Sequence, residues 1–120
     1  MQAAVALVAA LQGRSGEAIE AATRVSSAGG HTYLDGVIAG VAAGASAAAE
    51  GDTAAAHMWL ERAVALATAT QDQVATALAL CVYSHVLGVA HERGVGAVDA
   101  LGPGWLSVVD ALPKLRETVA

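Results

Sequence analysis

The sequence lacks several residue types that would narrow its function. It contains no phenylalanine, and aromatic residues make up only 3% of its 120 residues. The 56% of residues that are hydrophobic are therefore mainly alanine, valine and leucine, and alanine and leucine favour helix. An alanine-rich core buries little apolar area per residue, which favours helices that approach one another closely. A chain of this length forms one domain or part of one.

Only one cysteine and few positive charges are present. Cys81 has no second cysteine with which to form a disulfide or share a metal, which fits a reducing compartment and predicts a cytoplasmic protein. Six Lys and Arg residues against eleven Asp and Glu residues leave a net charge of −5. This is the wrong sign for a surface that binds phosphates. We therefore expect no nucleic-acid partner.

Long apolar runs are also missing. The two most hydrophobic stretches, residues 37–49 and 74–90, are shorter than the ~20 apolar residues that a membrane span needs. The first residues are apolar but lack the basic leader of a signal peptide. We expect a soluble protein with no membrane partner, in which both stretches are buried helices.

What is present is a helical pattern divided by glycines. Gly13 and Gly51 have the positions of helix C-caps, and capping boxes at Thr32 with Asp35 and at Thr70 with Gln73 predict helix starts. The predicted helices cover residues 2–12, 16–27, 33–50, 54–68 and 72–93, with a shorter one over 97–101 and a last one over 103–112. The first is apolar on nearly every side, so we expect both of its faces to be covered.

Three glycines form a stripe on the third predicted helix. Gly36, Gly40 and Gly44 recur every four residues, and each costs roughly 1 kcal/mol of helix stability relative to alanine. Close approach of another helix is the simplest compensation. The alternative is that the bare stripe opens space for a small ligand.

The segment from Gly44 to Ala63 recurs within the chain. Shifting its five anchor positions back by 38 residues leads to small or apolar residues in every case. A third occurrence predicts a small residue at position 88, which is Gly88, and agreement ends after Gly94. The residues assigned to packing within this repeat are Gly13, Ala18, Gly40, Gly44, Gly51, Ala56, Leu60, Ala63 and Gly88.

This Gly-anchored helix pair resembles the tetratricopeptide (TPR) repeat. The resemblance implies an all-α fold of antiparallel helix pairs stacked as a short right-handed solenoid. Residues 1–30 and 31–71 would be two pairs, 72–94 an additional helix, and 95–120 a Gly- and Pro-punctuated C-terminal segment. The aromatic residues usual in the family's first helix are replaced by alanine and glycine. Long repeats of this style are similar to those at the C-terminal end of large bacterial ATPase and transcriptional regulators.

In a TPR the first helix of each pair lines the concave face. Carried over by spacing, the expected partner-binding residues are Leu7, Leu11, Ile38, Val41, Ala45, Ala48, Val82, His85 and Val89. They include no Lys, Arg or Asn, which argues against a clamp for acidic peptide ends. The expected partner is an apolar protein surface or a second copy of the chain, as in a homodimer.

No residue set predicts catalysis or a cofactor. Cys81 and His85 share a helix face, but no third metal ligand is evident nearby. Ser84 and His85 are adjacent and point in different directions on a helix, so they form no nucleophile–base pair. We predict a protein–protein interaction or scaffold module, not an enzyme. The alternative is a small-ligand sensor with a pocket between the third and fifth helices, near Gly40, Gly44, Cys81 and His85.

Overall fold

The computed structural model describes residues 2–27, 33–88, 101 and 103–113, and this part of the chain contains helices and no strand. The all-α class is therefore confirmed. The predicted helix over 97–101 lies almost wholly outside the described residues, as does the chain beyond residue 113. The helices are α1 (Gln2–Leu11), α2 (Ser15–Ser27), α3 (Tyr33–Ala49), α4 (Thr53–Ala69), α5 (Gln73–Leu87) and α6 (Pro103–Ala111).

The end of α5 differs from the sequence prediction. Gly88 adopts a left-handed conformation (φ 70°), and its N–H donates to the Ser84 carbonyl. This cap ends the helix at Leu87, so the prediction that it continues to Arg93 is wrong. The other five helices begin and end within one residue of their predicted bounds.

The predicted capping box at the start of α5 is also wrong. Thr70 belongs to the end of α4, where its hydroxyl donates to the Ala67 carbonyl at 2.9 Å. The N-cap of α5 is Asp72, whose carboxylate accepts the N–H of Ala75 at 3.0 Å. An Asp52 carboxylate caps α4 in the same manner, so both helices begin with the same device.

Two turns, 38 residues apart, have the same backbone structure. Gly13 and Gly51 both adopt left-handed φ values, of 76° and 82°. The N–H of each glycine donates to the carbonyl three residues earlier, and the next N–H donates to the carbonyl five residues earlier, at 2.8–3.1 Å. This is the hydrogen-bonding pattern of a Schellman motif. The sequence period is therefore matched by a period in backbone geometry.

Helix α3 lies at the centre of the molecule. It contacts α1, α2, α4 and α5, and its residues Val37 and 39–48 are all buried. Only helices with small side chains can be surrounded so closely, and most of this segment is alanine and glycine.

The helix contacts follow chain order. Each helix from α1 to α4 contacts the next one extensively, and α1 and α5 both also contact α3. Among the described residues, α1 makes no extensive contact with α4 or α5. Helix α6 packs against α5, where Val109 and Leu112 are buried.

Candidate functional site

The glycine stripe of α3 faces α4. A Cβ atom added to Gly44 would lie 2.6 Å from Leu60 Cγ, and one added to Gly40 would lie 3.1 Å from Ala63 Cβ. At Gly36 the nearest atom is the terminal Leu66 Cδ2, at 2.7 Å. Gly44 therefore allows α4 to approach α3 more closely than a residue with a side chain would permit, as the stripe predicts, whereas at Gly36 the flexible end of Leu66 could move aside.

A groove opens beside this contact, at the edge of the α3–α4 pair. Its volume is about 350 Å³, and Gly36 and Gly40 line it together with Val25 at the end of α2. The Arg62 guanidinium, which also lines the groove, lies 5.4 Å from the centroid of the Trp59 ring. An open apolar groove with one cation suits an apolar group that carries a negative charge.

The expected partner-binding residues divide into buried and accessible ones. Val41, Ala45, Ala48 and Val82 are each at most 1% exposed, because other helices of the same chain cover them. Leu7 and Ile38 are half-buried, and Leu11 is exposed. Val89 lies outside the described residues. A partner could therefore reach only part of this set.

Most of the expected repeat-packing residues lie inside the molecule. Ala18, Ala56, Leu60 and Ala63 are buried, and the last two contact the glycine stripe. Gly88 has a different role from the one predicted. It does not lie between helices but caps α5 with a left-handed φ, as Gly13 and Gly51 cap α1 and α3.

His85 connects α5 to the C-terminal helix. Its Nε2 lies 2.9 Å from the Leu112 carbonyl oxygen; since a carbonyl only accepts, Nε2 carries the proton. Cys81, one turn earlier, is buried, and this burial raises the pKa of its thiol. A buried thiol with a raised pKa is a poor nucleophile. Within the described residues, no three His, Cys, Asp or Glu side chains are grouped closely enough to hold a metal ion.

A polar contact between α3 and α5 was not foreseen from the sequence. The Tyr33 hydroxyl donates to the Asp72 carboxylate, although the two residues lie 39 positions apart. The Ala75 N–H and then this hydroxyl lower the pKa of Asp72, and the same bond raises the pKa of Tyr33. The only signal in the sequence is that both residues flank helix starts.

The outward face of α1 carries exposed apolar side chains. Val5, Val8 and Leu11 are 48%, 46% and 36% exposed, whereas Ala3, Ala6, Ala9 and Ala10 on the inner face are buried. The expectation that both faces of this helix are covered is therefore wrong within this chain.

A comparison with known protein families, with curated proteins and with solved structures finds no match to this chain. Among the described helices, none combines the length and the apolar character that crossing a bilayer requires. Arguments about function therefore rest on the residues and their arrangement.

Proposed function

We propose that this chain is a TPR-like module of stacked helix pairs that mediates protein–protein contact. The observation that carries the proposal is the order of helix contacts. In a stack of pairs, the first helix of each pair contacts its own partner helix and both helices of the preceding pair. Helix α3 contacts α4, its partner helix, and both α1 and α2 of the preceding pair. Helix α5 contacts both α3 and α4 of the pair before it.

Two further features support a stack. A closed four-helix bundle would bring α1 beside α4, and these helices make no extensive contact in the described part of the chain. The turns at Gly13 and Gly51 are too short for the two helices that each one joins to pack side by side in parallel, which favours antiparallel pairs. The resemblance to the TPR adds the expectation of a right-handed solenoid. The cytoplasmic location and the relation to bacterial regulators rest on the sequence alone.

Affinity capture with quantitative mass spectrometry tests the proposed function. We expect the wild type to retain a specific protein that Ile38→Asp loses, because Ile38 is half-buried on the face assigned to partner binding. Thr23→Asp on α2 is the matched control, since Thr23 is exposed and outside that face. Circular dichroism must show equal helicity in all three proteins. Identical capture by wild type and Ile38→Asp would contradict the assignment.

The groove beside Gly36 and Gly40 favours a second candidate function, the sensing of a small ligand. It lies on the α4 side of α3, whereas the sequence suggested the α5 side. A thermal-shift screen of small carboxylic acids tests it, because a ligand at 100 times its Kd stabilises the folded state by about 2.7 kcal/mol. We expect Ala65→Trp, which adds bulk at the groove, to abolish any shift. No shift with any compound would count against this candidate.

A further inference from the structure

The groove beside Gly36 and Gly40 contains a positive charge with no ion-pair partner in the described part of the chain. The arginines of this part are Arg14, Arg24 and Arg62, and it holds no lysine. Arg14 and Arg24 each form an ion pair with a glutamate, whereas Arg62 forms none with any described residue. In a chain of net charge −5, the groove is therefore where an anion would meet a cation.

An aromatic ring supports the Arg62 side chain. Its guanidinium lies 5.4 Å from the centroid of the Trp59 ring, within the range of a cation–π interaction. Trp59 is only 9% exposed, so the ring is held in place by its surroundings. A guanidinium beside such a ring keeps N–H groups that can bind both oxygens of one carboxylate. The Trp59 end of the groove therefore suits a carboxylate.

The rest of the groove is apolar and elongated. Gly40 lies against the Trp59 carbonyl, and Gly36 lies against Leu66, so the groove follows the α3–α4 contact from Trp59 to Leu66. These two residues are seven positions apart on α4, or about 10 Å, which an extended chain of roughly eight to ten carbon atoms spans. Besides Arg62, the described lining residues are aliphatic, aromatic or glycine: Val25, Gly36, Gly40, Trp59, Ala63, Ala65 and Leu66.

Two other kinds of occupant fit this lining less well. An extended peptide would bring backbone N–H and C=O groups that lose their hydrogen bonds to water, and only the Arg62 and Trp59 side chains of the described lining could replace them. A phosphate or a dicarboxylate carries more negative charge than one guanidinium offsets. The carboxylates nearest in sequence, those of Asp35 and Glu61, do not line the groove.

We propose that the groove binds a medium-chain fatty acid, with its carboxylate on Arg62 and its hydrocarbon chain running over the glycines toward Leu66. The volume of about 350 Å³ lies at the lower end of the range for small-molecule sites. Glycine lets the chain approach the helix backbone closely, and the bound acid contacts α2, α3 and α4. The inference rests on the second candidate function, ligand sensing, and names the class of ligand.

A fluorescence titration with decanoate tests this site. In a Trp105→Phe background, Trp59 is the only tryptophan, and we expect decanoate to change its emission saturably. Arg62→Gln should weaken binding at least tenfold, because it removes the charge but keeps a polar side chain. Arg14→Gln is the matched control, since Arg14 lies outside the groove, and it should bind like its parent. Arg14 and Arg62 are both exposed, and circular dichroism verifies that each variant is folded.

Ligand analogues test the charge and the chain separately. Decylamine has the opposite charge and acetate lacks the chain, so neither should bind at the concentrations at which decanoate saturates. The proposal would be overturned by equal decanoate binding in Arg62→Gln, by equal binding of decylamine, or by the absence of saturable binding. Tighter binding of a peptide that ends in an apolar residue would also overturn it.

The thermal-shift screen separates this inference from the function on which it rests. If decanoate fails but another carboxylic acid gives a shift that Ala65→Trp abolishes, ligand sensing stands and the fatty-acid assignment is wrong. If no compound gives a shift, both are wrong.

Discussion

At the scale of single residues, backbone conformation determines where this chain turns. In the described part of the chain three glycines adopt positive φ values, and Gln71, in the turn between α4 and α5, does so as well, at 58°. A left-handed conformation costs roughly 1–2 kcal/mol for a residue with a side chain. Gln71 is therefore a strained position in an otherwise regular turn, and its exposed side chain forms none of the hydrogen bonds found among the described residues.

We expect Gln71→Gly to raise the free energy of unfolding by about 0.5–1 kcal/mol, because relief of the strain exceeds the added entropy of the unfolded chain. The matched change in the opposite direction is Gly51→Ala. No atom lies within 4 Å of the added Cβ at Gly51, so its loss of about 1 kcal/mol would come from the backbone alone. Urea denaturation measures both. Equal destabilisation by the two substitutions would contradict this account.

The carboxylate of Asp72 makes the free energy of unfolding depend on pH in the acidic range. Its pKa is lowered, first by the Ala75 N–H and then by the Tyr33 hydroxyl. The stabilisation is therefore complete above the unfolded pKa of about 4 and is lost as the pH falls through the lower folded value. We expect Asp72→Asn to reduce the decline in stability below pH 4, and Tyr33→Phe to reduce it less, because the Ala75 bond remains. Urea denaturation at pH 7 and at successively lower pH values measures the effect; equal acid sensitivity in all three proteins would refute it.

At the scale of helices, the α3–α4 contact depends on residues without side chains. Gly44 is confined by Leu60, which is itself 0% exposed and cannot move outward. Gly36 meets only a terminal methyl of the half-buried Leu66. Replacement of glycine by alanine should therefore affect stability differently at Gly44 and at Gly36.

We expect Gly44→Ala to destabilise the protein by about 1–3 kcal/mol through overpacking, which outweighs the roughly 1 kcal/mol gained in helix propensity. Gly36→Ala should be neutral or stabilising. In a double-mutant cycle, Leu60→Ala should suppress the loss caused by Gly44→Ala, because it removes the opposing atoms. Additive effects measured by denaturation would show that the two residues do not interact in this way.

The α3–α4 contact illustrates which parts of the structure can be predicted from the sequence and which cannot. Local signals predict most helix bounds, because Gly13, Gly51 and Asp52 act within one turn of the chain. Gly88 was misjudged because a glycine in an apolar run is compatible with either a cap or a continuing helix. The stripe predicts a close helix but does not identify α4, and the Tyr33–Asp72 bond requires α3 and α5 to be aligned. These outcomes depend on which helices become neighbours.

At the scale of the whole molecule, the C-terminal helix is the most separable part. Helix α6 packs extensively only against α5 in the described chain, through buried residues such as Val109 and the His85–Leu112 bond. Helix α3, in contrast, is held by four others. Helices α1 and α5 therefore differ, since the outward face of α1 carries exposed apolar side chains and α5 packs against the small helix α6.

We expect Val109→Asp to detach α6 without unfolding the rest. Hydrogen exchange followed by mass spectrometry should show faster exchange in α6 and the end of α5, with α1–α3 unchanged, because no extensive contact joins α6 to them. Ser107→Asp is the control, since Ser107 is exposed on the same helix. Faster exchange throughout the chain would show instead that α6 belongs to one cooperative unit with the others.

The enclosure of α3 has a consequence for synthesis on the ribosome. Its alanine, glycine and valine residues are released before α4 and α5, the helices that cover two of its sides. Roughly 40 further residues must be added before α5 is complete, which takes about 2–8 s at 5–20 residues per second. During that time the almost uncharged α3 segment of the nascent chain is not yet covered by α4 and α5. We therefore expect chaperones to bind the nascent chain in this interval and not the folded protein.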